Sequence, residues 1–330
     1  MKKVFIRSKG DQYHGWGNVI RQLNIAKYLT EKKFKVFFFV ETDKNLSSFL
    51  KKYKFRIVKL SKKISVKKEK QILKKYGNSD ASIIEMLNPP VHLQKLYLKN
   101  TEKLIVYDDL LSGKYISDIL ISCQGISVNK NKILNKKIKI LKGYKYFPLT
   151  EKFSKNSLSK KKNKKNFKIN IVLGGSYYKN LYIKIARAFK KFKYIKIRII
   201  VSEKNFAQTK KDILNINDRI IITKPQEDIY KYLSEADALI VGGGYTKIEA
   251  ASLKIPFMII CTHLHQINIS KFLSKQIGCI MLGYFSKISS KLIENRIEKL
   301  ISLDYRRKLL KKLYNFKPNG LETINNILIN

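Results

Sequence analysis

Short apolar runs rich in Ile, Val and Phe alternate with helical patterns along this chain, and after one charged break the alternation starts again. In the first stretch KVFIR (3–7) precedes a helix expected from about 17 to 32, and KVFFFVE (35–41) precedes NLSSFLKKY. ASIIEM (81–86) precedes VHLQKLYLK, and KLIVY (103–107) leads through Asp108 and Asp109 to DILIS (118–122). Runs that are apolar throughout, rather than at every second residue, belong to strands buried on both faces of a parallel sheet. Parallel neighbours need crossover helices, and right-handed crossovers wind such a chain into a doubly wound α/β layer structure.

The break is SKNSLSKKKNKKNFK (154–168), which has almost no apolar residues and a dense positive charge. It reads as an exposed linker, or as a segment that binds phosphate or lipid headgroups. Beyond it KINIVLGG (168–175) leads into a helix ending near 191. IKIRIIVS (195–202), RIIIT (219–223), ALIVGGG (238–244) and PFMIIC (256–261) follow with helices between them, and from about 287 the pattern is helical. The expected architecture is α/β, with two Rossmann-like domains of parallel strands facing a central cleft. Residues 1–153 form the first domain, 154–167 the linker, and 168–330 the second domain with its C-terminal helices. In such sheets ligands sit outside the carboxyl ends of the strands, and the glycine clusters of this chain fall at those ends.

The 330 residues hold enough apolar material for one large or two medium cores. The formal net charge of +45 fits an anionic partner such as nucleic acid, anionic lipid or a nucleotide diphosphate. It also fits a lysine-rich composition spread over every solvated face. The lysines run through the whole chain rather than forming one block, which favours the second, and no nucleic-acid-binding signature accompanies them. Cys123, Cys261 and Cys279 are far apart and odd in number, which argues against a disulfide framework and for a reducing cytoplasm. The start MKKVFIRSKGDQ has a four-residue apolar run, a strand rather than a signal peptide, and no run has the length of a membrane span. The expectation is a cytoplasmic protein whose charge permits peripheral contact with an anionic inner membrane face.

Three glycine clusters carry the chemistry. SKGDQYHGWGN (8–18) joins a strand to a helix whose buried side is Val19, Ile20, Leu23 and Ala26. Gly15 and Gly17 permit a tight turn or close backbone approach, and free N–H groups at the helix start suit an anion or a sugar oxygen. The pattern is not a complete dinucleotide fingerprint, and Glu41 is the acid that closes the next strand. LGGSYYKN (173–180) offers the N–H groups of Gly174 and Gly175 and the hydroxyl of Ser176 to a phosphate, without the Lys-Ser/Thr of a Walker loop. In VGGGYTKIEAASLKIPFMII (241–260) three glycines end a strand, Thr246 opens a helix, and Glu249 lies on its first turn, placed either to complement the helix dipole or to accept from a ribose diol. His263 and His265 have a spacing that suits a strand-borne metal pair, but no third ligand is evident, so no metal is expected.

At these residues the chain resembles the UDP-sugar hydrolase family of pseudaminic acid synthesis and the related glycosyltransferase-like proteins of spore-coat polysaccharide synthesis. Arg7, Ser8, Gly15, Gly17 and Arg21 match the family's N-terminal motif. YDDLLSGKYISDILIS (107–122) resembles its paired-aspartate segment, GYKYFPLTEKF (143–153) its crossing between domains, and LGGSYYKN its Gly-Gly-Thr-Asp-x-x-Asn. GGGYTKIEAASLKIPFMII with HQIN is also similar to the UDP-binding half of the N-acetylglucosaminyltransferase of peptidoglycan synthesis, in glycosyltransferase family 28. The resemblance implies the GT-B fold with a UDP-sugar bound mainly by the second domain. Carried over by position, Gly175, Ser176, Gly244, Tyr245 and Thr246 approach the diphosphate and Glu249 holds the ribose. The loop from Gln226 to Ile229 flanks uracil, Gln266 reaches the donor sugar, and Gly17, Asn18 and Arg21 form the N-terminal wall.

The chain also departs from that family. Asn18 stands in place of its histidine, Lys9 in place of the aspartate after Arg-Ser, Tyr177 in place of an aspartate and Thr150 in place of the hydrolase's arginine. Breaking the anomeric C–O bond of a UDP-sugar with inversion needs a base to deprotonate the incoming hydroxyl or water, and dipoles or cations for the leaving diphosphate. Histidine is such a base; an asparagine amide is not. His14 is the nearest substitute, followed by Asp11, Asp108 and Asp109. Three readings stand: a glycosyltransferase that uses another base, a hydrolase in which His14 substitutes, and a nucleotide-sugar binder without turnover. The expected partners are a UDP-sugar as substrate and a sugar or lipid-linked acceptor, with no separate cofactor and no specific nucleic acid.

Overall fold

The computed structural model describes residues 1–10, 17–42, 44–155, 167–224 and 229–330. The chain divides into two compact units, Met1–Thr150 with Pro318–Asn330, and Glu151–Lys317.

The first unit runs β1 (Lys3–Lys9), α1 (Gly17–Glu31), β2 (Lys35–Glu41), α2 (Lys44–Leu50), β3 (Arg56–Leu60), α3 (Val66–Lys74), β4 (Ser79–Glu85), α4 (Val91–Leu98), β5 (Thr101–Tyr107), β6 (Ile119–Ser122) and β7 (Lys139–Lys142). The strands form a parallel seven-stranded sheet in the order β3-β2-β1-β4-β5-β6-β7. Successive side chains of a strand point to opposite faces. One face carries Phe5, Phe37, Phe39, Ile84, Leu104 and Val106 against Leu73 of α3 and Leu93, Leu96 and Tyr97 of α4. α1 lies against β1 and β2, burying Val19, Leu23, Ala26 and Leu29. Val19, Leu23 and Leu29 each contribute roughly 1.5–3 kcal/mol by leaving water.

The second unit runs α5 (Glu151–Lys155), β8 (Phe167–Val172), α6 (Lys179–Ala188), β9 (Ile195–Ile200), α7 (Phe206–Leu214), β10 (Ile221–Thr223), α8 (Ile229–Ser234), β11 (Ala238–Gly242), α9 (Thr246–Ser252), β12 (Phe257–Cys261), α10 (His265–Ile277), β13 (Ile280–Tyr284), α11 (Ser290–Ile301) and α12 (Leu303–Leu313). Its parallel sheet has the order β10-β9-β8-β11-β12-β13. Apart from the extra β7, both sheets follow one plan. The first strand is central, the next two lie to one side, and the rest lie to the other. The order therefore reverses between β1 and β4 and between β8 and β11, the points where open α/β sheets part their loops to admit a ligand.

The sequence places all of 168–330 in the second domain, and here the structure differs. The last helix, α13 (Gly320–Ile329), belongs to the first unit. Its entry is fixed by Asn319 N–H donating to Lys145 O at 2.8 Å and Gly320 N–H to Phe147 O at 3.3 Å. Its exit is fixed by Lys2 Nζ donating to Leu328 O at 2.7 Å and Lys103 Nζ to Ile327 O at 3.0 Å. Those ammonium groups satisfy carbonyls that a helix C-terminus leaves unpaired. The first unit also stops at Thr150 rather than 153, because α5 packs in the second unit, where the Phe153 ring meets Tyr230 edge-on with centroids 5.3 Å apart. Of the expected linker, residues 156–166 lie outside the described residues. Among the described residues no helix is long and apolar enough to cross a membrane.

Candidate functional site

At the switch point of the second unit, the turns after β8, β11 and β12 lie side by side because their strands are neighbours. Gly174 has φ +100°, a conformation that favours glycine. Gly175 and Ser176 are exposed, and Gly175 O accepts from Asn205 Nδ2 at 3.0 Å and Ser202 Oγ at 3.3 Å, which pins the turn. Gly242 passes so close to the β8 exit that a Cβ there would lie 2.8 Å from Leu173 O. At Gly243 a Cβ would meet Gln266 Oε1 at 2.7 Å, and Lys247 Nζ donates to Gly243 O at 2.7 Å. Gly244 is exposed, with nothing within 4 Å of where its Cβ would stand. Tyr245 and Thr246 are half-buried, and Glu249 is buried on the first turn of α9.

Gln266, on the first turn of α10, folds back over its own turn. Its Oε1 accepts from Thr262 N at 2.9 Å and His263 N at 3.3 Å. The structure thus brings together Gly175, Ser176, Gly244, Tyr245, Thr246, Glu249 and Gln266 on neighbouring turns of one sheet edge. Small residues there let a ligand approach the backbone, and helix N-termini supply N–H groups for an anion. Ile229 opens α8 and is half-buried, while Gln226 lies outside the described residues.

His263 and His265 are not strand-borne: they sit on the turn into α10, with ring centroids 5.5 Å apart. Burial, then the charges of His263 and Lys247, hold His265 below the ordinary histidine value. Among the described residues no group of three or more His, Cys, Asp or Glu could hold a metal ion. Tyr177 turns toward α7, its hydroxyl donating to Asp212 and its ring stacked on Tyr182.

In the first unit the carboxyl ends of the strands hold two buried guanidinium groups. Arg7 donates from Nε to Glu69 Oε1 at 2.7 Å and from Nη2 to Glu41 Oε1 at 2.5 Å. Tyr97 Oη donates to the same Glu69 oxygen at 2.9 Å. Glu41, the acid that closes β2, is paired with Arg7, with Lys9 Nζ 3.4 Å away. Burial works against its ionised form, but the hydrogen bond and charge of Arg7 outweigh it and hold Glu41 below the ordinary carboxylate value.

Arg21 of α1 is 4% exposed. Its Nε donates to Glu85 Oε1 at 2.9 Å, its Nη2 donates to the same oxygen, and its Nη1 donates to Asp109 Oδ2 at 2.5 Å. Gln22 Nε2 donates to Glu85 Oε2 at 2.6 Å, so one carboxylate at the end of β4 holds two consecutive residues of α1. Asp109 also accepts from Cys123 N at 2.8 Å and Gln124 Nε2 at 3.2 Å. Asp108 ties down its own turn, accepting from Ser112 N at 3.0 Å, Gly113 N at 3.1 Å and Tyr115 Oη at 2.8 Å. Burial pushes Glu85 up to about 7, against the charge of Arg21 and with that of Asp109. Two carboxylates share one cation, and Arg21 stays charged, raised above its ordinary value because both acids outweigh its burial.

Gly17 begins α1 and is exposed; Asn18 follows and is half-buried. Asp11, His14 and Gly15 lie outside the described residues. Glu85, Gln22 and Glu69 escape a reading of the sequence, although a lone acid closing an apolar run, as Glu85 does, is a signal that it faces a buried cation.

No protein-family model matches the chain. It is similar to an uncharacterized protein of Methanocaldococcus jannaschii, with 27% identity over 275 residues, 78% of this chain and 55% of that protein. It thus spans about half the length of that relative. It is also similar to the spore coat polysaccharide biosynthesis protein SpsG of Bacillus subtilis, 23% identical over 312 residues, 91% of this chain and 89% of the other. A third relative is the UDP-2,4-diacetamido-2,4,6-trideoxy-beta-L-altropyranose hydrolase of Campylobacter jejuni, 24% identical over 281 residues, 83% of this chain and 97% of the other. Among solved structures, MurG of Acinetobacter baumannii matches with a TM-score of 0.69 at 15% identity, covering 100% of this chain and 99% of that one. The MnaA–UDP co-structure of S. aureus matches with a TM-score of 0.65 at 13% identity, covering 99% and 95%. The chain has the two-domain α/β fold of the GT-B glycosyltransferases.

Proposed function

We propose that the chain is a nucleotide-sugar enzyme that acts at the anomeric carbon of a UDP-sugar and transfers the sugar to an acceptor in surface polysaccharide or glycan synthesis. The observation that carries this reading is the row of glycine turns at the second unit's switch point, with Gln266 against Gly243 and Glu249 on the first turn of α9. The relatives named for polysaccharide biosynthesis and for a UDP-sugar hydrolase support the substrate class, as does the UDP in the MnaA co-structure. In this reading Gly175, Ser176, Gly244, Tyr245 and Thr246 bind the diphosphate. Glu249 accepts from the ribose, the segment from Gln226 to Ile229 flanks uracil, and Gln266 orients the donor sugar.

Departure of the diphosphate builds negative charge on its oxygens, and backbone N–H groups fixed in advance stabilise that charge without reorganising. The reaction also needs a base. Asp108 spends its acceptors on its own turn and Asp109 spends its on Arg21, Cys123 and Gln124. By sequence position His14 is then the first candidate for the base and Asp11 the next, with Asn18 orienting the acceptor hydroxyl. The similarity to the Campylobacter hydrolase favours a second reading, with water as acceptor and His14 as base. Asn18 in the place of a histidine favours a third, binding without turnover.

One experiment separates the three. The protein is incubated with a panel of UDP-sugars, with and without acceptor extracts, and UDP and products are followed by mass. Release of UDP only with acceptor is expected. Steady release without acceptor identifies the hydrolase, and no release in either arm identifies the binder. In Asn18→His, hydrolysis without acceptor is expected to rise, because the substitution restores a base at that position.

A further inference from the structure

A second feature of the second unit lies at the opposite end of its sheet from the glycine turns. α9 starts at the carboxyl end of β11 and returns to the amino end of β12, and Lys254 stands in that return. Its backbone is left-handed, with φ +56°, at a position just past a helix end where glycine is the usual residue. A lysine is kept there at a steric cost. The side chain is 6% exposed and its ammonium donates to Phe316 O. Burial, then the charge of Lys317, holds it down at about 8.

Facing Lys254 is one stripe of α12 and the residue just beyond it, Arg307, Leu310, Lys311 and Tyr314, spaced as neighbours on one helix face. These five residues line a cavity of about 500 Å³ whose walls are almost wholly apolar. The helix does not need this stripe for its own packing, since Leu309 and Leu313 are its buried side chains. Arg307 and Lys311 are exposed, Tyr314 is 59% exposed, and Leu303 on the first turn is 54% exposed. Asp304, 3.6 Å from Arg307, is an exposed partner that solvent screens.

An apolar hollow floored by buried Lys254 and rimmed by the exposed cations Arg307 and Lys311, with an aromatic ring at its mouth, complements a ligand that has an anionic head on an apolar stem. We infer that this face docks the protein on an anionic phospholipid bilayer, with a phosphodiester headgroup against Arg307 and Lys311 and the stem against Leu310 and Tyr314. Tyrosine suits that depth because its ring is apolar and its hydroxyl wet. Basic side chains near a bilayer surface each strengthen attachment about fivefold.

With a chain of net charge +45, any basic surface could attract such a bilayer, so the test compares positions. Flotation with phosphatidylcholine vesicles, with and without phosphatidylglycerol, is measured for the whole protein, for Arg307→Glu with Lys311→Glu, and for Lys67→Glu with Lys70→Glu on exposed α3 as a charge-matched control. The expected result is binding only with phosphatidylglycerol, lost about tenfold or more in the α12 pair and about threefold or less in the control. Tyr314→Ser, which keeps every charge, is expected to lose several-fold as well. Equal loss in the two charge-reversed pairs, or full binding by Tyr314→Ser, would overturn the inference. So would release of the vesicles by inorganic phosphate where chloride of equal ionic strength leaves them bound, since the ligand would then be a free anion. UDP binding of the α12 pair is expected to be unchanged. Failure of the parent to bind UDP would count against the nucleotide reading and leave this one standing.

Discussion

Arg21 holds the first unit's switch point together. One guanidinium joins α1 to the end of β4 through Glu85 and to the turn after β5 through Asp109. Removing one partner of a buried ion pair costs about 3–5 kcal/mol, because the remaining charge has no water. Arg21→Met is therefore expected to lose about 3 kcal/mol at pH 8, where Glu85 is ionised. The sign with pH follows from the raised value. The folded state keeps a proton on Glu85 that the unfolded chain gives up, so this group's contribution is complete below the ordinary carboxylate value of 4.5 and is lost as pH rises through about 7. The deficit of Arg21→Met should accordingly shrink at pH 5, as urea titrations of parent and variant at the two pH values would show; an equal deficit at both would contradict a titrating Glu85. The motif marks Arg21 and the paired aspartates mark Asp109, yet their pairing across 88 positions is tertiary and no local pattern encodes it. Glu85 hides for the same reason, 64 positions from Arg21.

Elements were legible in proportion to how unbroken their apolar runs are. β2, β4, β5, β8, β11 and β12 lie where unbroken apolar runs predict them. β3 and β7 escape notice because lysine and arginine dilute them, in RIVKL and KILK, as befits strands at or near a sheet edge. α3 offers no apolar run to read, because Glu69 and Leu73 are the buried residues among four lysines. The clearest failure is α13, whose helix was visible but whose allegiance was not. Gly320 decides it. A Cβ there would lie 2.2 Å from Tyr146 O and 2.6 Å from the Phe147 carbonyl carbon, both backbone atoms that cannot step aside. Gly320→Ala is expected to cost about 3 kcal/mol, and to lower the melting of the first unit while leaving the second unchanged. Hydrogen exchange resolved along the chain would report it, through faster exchange in α1 and the single 3₁₀ turn Tyr144–Tyr146 than in β8 or β11. Protection unchanged in the first unit would show that the helix is not seated as described.

At the scale of the molecule, two sheets share one strand order, and that repeated plan was written in the sequence as an alternation that starts twice. The glycine clusters were also legible, because backbone approach leaves a composition that side-chain pairing does not. What gave no sequence signal was how glycines and partners interlock, as Gly242 does with Leu173 and Gly243 with Gln266. The central claim is that these turns of the second unit take the nucleotide. Calorimetric titration of UDP at low salt tests it most directly, with Glu249→Ala alongside the parent. Saturable binding at one site per chain is expected for the parent, with about a tenfold or greater loss in Glu249→Ala from the missing charged acceptor. No binding by the parent, or equal affinity in both proteins, would contradict it.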